Sequence, residues 1–205
     1  MELNQIRFPR IFILGDGVFA KELKVYFETI RMFDIILVGK DDINNYHEKL
    51  DKYSSVSIMG SGQCTIKMEM LKEIKGKITK FCAPSASIFI QHSAIGEGSV
   101  IAPGVVLAPY CKIGKHVLVN YNATIGHNTI IGDLSVVSPN AAVGGSCVLG
   151  RGVYVGAGAS IRENLHIADG VIIGMGAVVI NDVIIKDSIV VGIPAKPKVG
   201  LLKQG

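Results

Sequence analysis

The 205 residues contain no tryptophan, and aromatic side chains make up only 6% of them. The hydrophobic content of 49% is therefore largely aliphatic, and with 24 glycines it favours a β-solenoid over a helical enzyme core. No run reaches eighteen uninterrupted apolar residues, so no membrane-spanning helix is expected. The opening stretch MELNQIRFPRIFIL lacks the charge-then-apolar-then-small layout of a secretion signal, and a cytoplasmic protein is predicted. The four cysteines (Cys64, Cys82, Cys111 and Cys147) form no CxxC pair and no ligand cluster, so no metal is expected. Net charge is +4 and the isoelectric point about 8.8, with no basic stripe interleaved with aromatics, so nucleic acid is not an expected partner. The flat Thr-x-Thr array of an ice-binding prism is also missing.

What the chain has instead is a period. From Ile95, Ile101 and Leu107 onward, every sixth residue is Ile, Leu or Val, through Ile173, Val179 and Ile185 to Val191. The next residue is usually small, as at Gly96, Gly126, Gly144 and Gly174, and the corner there is expected to exploit glycine's missing side chain and free φ. Four residues after the aliphatic comes, in most repeats, another small or β-branched residue, among them Ser99, Cys111, Thr129, Ser135 and Cys147. A six-residue unit is one short strand and a turn, too small to bury its apolar side chain alone. Stacked units bury a continuous aliphatic ladder, with backbones pairing at about 4.8 Å.

Residues 1–81 have another texture, and the division is placed at 1–81 and 82–205. Apolar runs at 10–14, 35–38, 56–59 and 78–81 alternate with helical patterns at 19–30, 43–49 and 64–75. Strands alternating with helices predict a small parallel, Rossmann-like α/β sheet, whose ligands bind at the carboxyl ends of the strands. Gly15-Asp16-Gly17 is a fragment of the dinucleotide fingerprint, with Ala20 where the third glycine belongs. After Val191, Gly-Ile-Pro-Ala-Lys-Pro-Lys breaks the period with two prolines and is expected to leave or cap the solenoid.

Three motifs carry a resemblance. They are Asn120 with Ile125-Gly126-His127-Asn128-Thr129-Ile130-Ile131-Gly132-Asp133, then Ser138-Pro139 with Gly144-Gly145, and Val191-Gly192-Ile193-Pro194-Ala195-Lys196. With a small α/β domain ahead of the repeats, the chain resembles the hexapeptide-repeat sugar acyltransferases grouped with the sialic acid O-acetyltransferase NeuD. That group includes the bacillosamine-pathway enzyme PglD and the perosamine N-acetyltransferases. The resemblance implies a left-handed parallel β-helix with three faces and eighteen residues per winding. It implies a homotrimer and acetyl transfer from acetyl-CoA to the amine of a nucleotide-linked 4-amino sugar, made for surface polysaccharide.

On that winding Gly145 stacks over His127. An amine acylated by a thioester needs a base for its proton and a donor for the tetrahedral oxyanion. His127 and the Gly145 amide are cast in those roles, with Asn128 in place of the usual Asp or Glu orienting the ring. The resemblance places Asn120 at the acceptor site. It lays CoA along Val136, Gly145, Ala157 and Met175, with Lys196 or Lys198 near the phosphates. It assigns Gly17, Val18, Phe19, Lys40, Asp41 and Gly60 to the nucleotide sugar. Cys111 and Cys147 lie two windings apart, about 9.6 Å, too far to bridge, so both are expected as reduced core residues. His47, His92, His116 and His166 lack the flanking match. O-acetylation by the same machinery and a non-catalytic scaffold are the competing readings.

Overall fold

The computed structural model describes residues 10–14, 17–30, 34–38, 55–59, 71–72, 78–89 and 92–198. The chain divides into two compact units, Met1–Thr79 and Lys80–Gly205.

In the first unit, strand β1 (Arg10–Leu14) leads through Gly17 into helix α1 (Val18–Ile30). Strands β2 (Asp34–Val38) and β3 (Ser55–Met59) flank β1 in a parallel sheet of order β2-β1-β3. Phe12, Ile13 and Leu14 are buried, and α1 buries Ala20, Leu23 and Phe27, a stripe at helical spacing. Of the expected fourth strand at 78–81, Ile78 is buried in a single β-bridge, and a strand as such begins only at Phe81. Phe81–Cys82 pairs with Val100 and Ile101 and so begins the solenoid. The expected helix at 43–49, and most of that at 64–75, lie outside the described residues.

The second unit is a parallel β-helix. Two-residue strands stack at a spacing of eighteen, as in Leu118↔Val136 and Val136↔Tyr154, Thr124↔Ala142, and Ile130↔Val148. They form three sheets. The aliphatic ladder from Ile101 to Val179 is buried throughout, and so are the small residues four places on, from Ser99 to Ala177. Buried hydroxyls in this second column are satisfied by the next winding. Ser135 Oγ donates to the Gly150 carbonyl at 3.0 Å and accepts the Val153 N–H at 3.0 Å. Thr129 does the same with the Gly144 carbonyl (2.9 Å) and the Cys147 N–H (3.3 Å).

Two expectations are corrected. The ladder does not reach Ile185 and Val191, which are 64% and 38% exposed. The last winding is one residue short, pairing Ile173 with Val190, so Val190 points inward and Val191 outward. The chain then doubles back, and Lys196–Pro197 pairs antiparallel with Val190–Val191 as a cap.

The glycines also work differently from expectation. Those beside the aliphatic residue, Gly192 apart, do not have positive φ; every sixth residue from Gly98 to Gly176 does, two places further along. Glycine is needed beside the aliphatic because the next winding crosses it: a Cβ on Gly132 would lie 2.6 Å from the Gly150 carbonyl. The left-handed position instead takes Gly, Asn, Asp, Ser or His, with Tyr110 and Leu134 as bulky exceptions. Such a backbone costs an L-residue about 1–2 kcal/mol, least for Asn and Asp, which bond locally. The two classes should respond oppositely to substitution. Gly132→Ala should cost about 1–3 kcal/mol through overpacking. Gly158→Asn, at φ +66 with nothing within 4 Å of the new Cβ, should stay within about 0.5 kcal/mol of the parent. Chemical denaturation of both variants measures the contrast.

Candidate active site

The β-helix has three edges, distinguished by the residue two places after each inward aliphatic. One edge carries Lys115, Asp133, Arg151 and Asp169, and its backbone amides are used. Asp133 Oδ1 accepts the Lys115 N–H at 2.7 Å, and Asp169 Oδ1 accepts the Arg151 N–H at 3.0 Å. Lys186 closes the row on Asp169 at 2.9 Å, holding that carboxyl below the usual range. A second edge carries Tyr121, Pro139, Ala157 and Met175. The third carries Pro109, His127, Gly145 and Glu163.

On this third edge the pairing of Thr124 with Ala142 and Ile125 with Val143 sets His127 one winding below Gly145. The imidazole is exposed and lies over the bare glycine. A Cβ built on Gly145 would sit 2.8 Å from His127 Nε2 and 2.9 Å from Cε1. The Gly145 carbonyl accepts the Asn164 N–H at 2.9 Å, whereas the Gly145 N–H has no acceptor among the described residues. On the aspartate edge the carboxylate above takes the equivalent amide. Here Glu163 stands above and makes no such bond among the described residues. The result is an unused N–H beside an exposed imidazole, with no side chain between them.

The surrounding bonds hold this pair. Asn128, at φ +59, has its carboxamide nitrogen 3.1 Å from His127 Nδ1. An asparagine suits that left-handed turn, so its place is set by the backbone as well as by the ring. Donation from the carboxamide to Nδ1 leaves the ring proton on Nε2; turning the carboxamide over presents its oxygen to an Nδ1–H and frees Nε2. An aspartate fits the same turn and fixes the second tautomer while stabilising the imidazolium by charge. Asn128→Asp should therefore raise kcat several-fold, which steady-state kinetics at neutral pH will test. Thr129, the next residue, ties down the backbone on both sides of Gly145 through its bonds to Gly144 and Cys147.

Cys147 lies just inside this edge and Cys111 two windings below. Both are free and buried, and burial pushes their thiols up from the ordinary range. The folded state thus keeps these protons to higher pH than the unfolded chain. That contribution to stability is full below the ordinary thiol range and fades as pH rises through it. Alkylation of the native protein at pH 8 should leave both unlabelled until denaturant is added, as peptide mass mapping will show.

The structure unites His127, Asn128 and Gly145 but not the remaining expected site residues. Asn120 lies on the second edge, where its Oδ1 accepts the Tyr121 N–H at 2.8 Å. Ala157 and Met175 are exposed on that same edge, Met175 to 81%. The Val136 side chain is buried, leaving no side-chain surface for a ligand. Lys196 is exposed in the terminal hairpin. In the first unit Gly17 and Val18 are exposed at the start of α1, beyond the carboxyl end of β1. Phe19 lies within α1. Lys40, Asp41 and Gly60, like His47 and Cys64, lie outside the described residues. His116 occupies a left-handed turn, and His166 is exposed in a strand with its N–H on Asp182. Among the described residues no group of three His, Cys, Asp or Glu is placed to hold a metal.

Residues 92–127 match the bacterial transferase hexapeptide family model, six repeats. No curated protein sequence matches the chain. Among solved structures, it is similar to the acetyltransferase domain of PglB from Neisseria gonorrhoeae in complex with acetyl coenzyme A. The TM-score is 0.84 at 21% identity, covering 93% of this chain and 100% of that one. A mutant perosamine N-acetyltransferase from Caulobacter crescentus, in complex with CoA and GDP-perosamine, gives 0.82 at 19% identity, covering 93% and 97%. WeeI from Acinetobacter baumannii gives 0.76 at 22%, covering 92% and 99%. At these identities the likeness establishes the fold; the hexapeptide repeat is established over residues 92–127 by the family model.

Proposed function

We propose that the protein is an acetyl-CoA-dependent N-acetyltransferase acting on the amine of a nucleotide-linked 4-amino-deoxysugar. The observation that carries this reading is the exposed His127 imidazole lying against the unused amide of Gly145, with no Cβ between. That arrangement supplies a proton acceptor and an oxyanion donor about one winding apart. The similar structures add weight, since one is a complex with acetyl coenzyme A and another a complex with CoA and GDP-perosamine.

Chemically, the sugar amine attacks the thioester carbonyl while His127 Nε2 takes a proton from it. The oxygen gains charge against the Gly145 N–H. Collapse breaks the carbon–sulfur bond, and the proton held by His127 returns to the departing thiolate. The thioester supplies the activated acetyl group; the chain supplies position, a base and a fixed dipole. The buried, protonated thiols of Cys111 and Cys147 favour direct transfer over an acyl-cysteine route.

The split of assigned residues between two edges bears on assembly. His127 and Gly145 lie on one edge and Asn120, Ala157 and Met175 on another, so one ligand reaching all of them would lie between two chains. This supports a homotrimer with CoA in the cleft between neighbouring prisms. In the first unit, Gly17, Val18, Phe19, Lys40, Asp41 and Gly60 are assigned to the nucleotide. The reaction belongs to the cytoplasm, where acetyl-CoA is made.

The test is acetyl transfer, followed as free thiol release, with GDP-, UDP- and dTDP-linked 4-amino sugars against their 4-hydroxy counterparts. Transfer to an amine alone is expected. Transfer to the hydroxyl sugars alone would make the protein an O-acetyltransferase, and failure to bind acetyl-CoA in a calorimetric titration would leave only a scaffold.

A further inference from the structure

The left-handed positions along the histidine edge contain one residue that the fold does not account for. In chain order they are Tyr110, Asn128, Ser146 and Asn164, all with φ near +60. Asn and Ser suit that backbone, and tyrosine does not. The other bulky exception, Leu134, is 2% exposed and recovers its cost by burial, whereas Tyr110 is 56% exposed. A ring held out in solvent on an unfavourable backbone is the kind of outlier that points to use by a ligand. It is placed where a ligand would come. The Asn128 N–H donates to the Pro109 carbonyl at 3.1 Å, which sets Tyr110 one winding below Asn128 on the side of His127 away from Gly145. One winding further, the His92 ring lies 5.1 Å from the Tyr110 ring at a tilt of 37°. Phe89, 52% exposed, belongs to the same turn as His92.

We propose that Tyr110, backed by His92, is the stacking face that holds the acceptor's sugar ring beside His127. This rests on the acetyl transfer proposed above. The spacing selects the sugar and not the nucleobase. Tyr110 stands about 4.8 Å below the level of Asn128, the width of one pyranose ring, while a base joined through a diphosphate lies beyond that. The chemistry fits as well. One face of a deoxysugar presents C–H groups, whose partial positive charge meets the negative face of the phenol ring. A deoxy carbon adds a methyl or methylene to that contact. With the sugar flat on Tyr110, its amine is directed up the edge toward His127 Nε2 and the bare glycine.

Tyr110→Asn separates this role from a structural one, because asparagine removes the ring and relieves the backbone together. With GDP-perosamine as the probe, the variant should bind about tenfold more weakly in calorimetry and show a KM raised by a similar factor. Binding of GDP alone and KM for acetyl-CoA should not change, and the melting temperature should hold or rise. Tyr110→Phe should behave like the parent. Equal loss of GDP and GDP-perosamine binding would assign the ring to the nucleobase and overturn the proposal. So would unchanged GDP-perosamine binding, or a fall in melting temperature or oligomer size, which would make Tyr110 a contact between subunits. If the parent binds GDP-perosamine but acetylates none of the GDP-, UDP- and dTDP-linked 4-amino sugars, the transfer reading fails while the binding comparison still decides the role of Tyr110. If the parent binds none of them, both fall.

Discussion

Alanine at position 127 should lower turnover by ~10²–10⁴, the range for loss of a general base. KM for acetyl-CoA should stay near that of the parent, because the imidazole acts on the proton in flight and not on the donor's resting contacts. The fold should be untouched: His127 is exposed, and the bonds that shape its turn run through backbone groups. Single-turnover measurements with saturating acetyl-CoA would isolate the chemical step. A variant that retains the parent's rate would remove His127 from the mechanism, whatever its position beside Gly145.

The second large effect is expected at Gly145. In Gly145→Ala the new methyl carbon would arrive 2.8–3.1 Å from three atoms of the His127 ring, and the ring, being exposed, would swing away. One added carbon would thus displace the proposed base and cover the amide proposed to meet the oxyanion. The expected loss is ~10²–10³ in kcat, comparable to deleting an oxyanion donor, with weaker acetyl-CoA binding because the thioester can no longer approach the backbone. Stability should change little, since the methyl meets a movable side chain and not the packed interior. Gly126→Ala offers a contrast, because its Cβ would run into the Gly145 backbone nitrogen itself. There both the amide direction and the stacking should suffer.

Much of this arrangement could be read from residue order. A repeat of six with a buried aliphatic fixes which side chains go in, and the winding of eighteen, which the resemblance implies, then places residue 145 above residue 127. The inward small column follows from the repeat, the unbridged cysteines from the winding, and the break after Val191 from its two prolines. What escaped residue order was anything decided by backbone conformation or by the end of the stack. Glycine at the crossing and glycine at the left-handed turn are one letter in a sequence, and only the path of the neighbouring winding separates them. Ile185 and Val191 keep the period yet lie outside the core, because a deletion of one residue in the final winding is invisible when the next residue is also valine. Phe81–Cys82 reads equally well as the last strand of one unit or the first of the next. Tyr110 did carry a signal: it stands in a column otherwise filled by Gly, Asn, Asp, Ser, His and one buried leucine. The division of Asn120 and His127 between two edges follows from their separation of seven residues, more than a single face.

The shortened final winding sets a limit on growth. Identical coils can be added to a regular solenoid indefinitely, and two such rods can join end to end into a fibre. Here the last rung is out of step by one residue, and its free side is already occupied by Lys196–Pro197. Extra hexapeptides grafted after Lys198 would find no template, whereas eighteen residues inserted before Val179 would lengthen the rod by one storey. The same mismatch keeps separate molecules from polymerising through their tips.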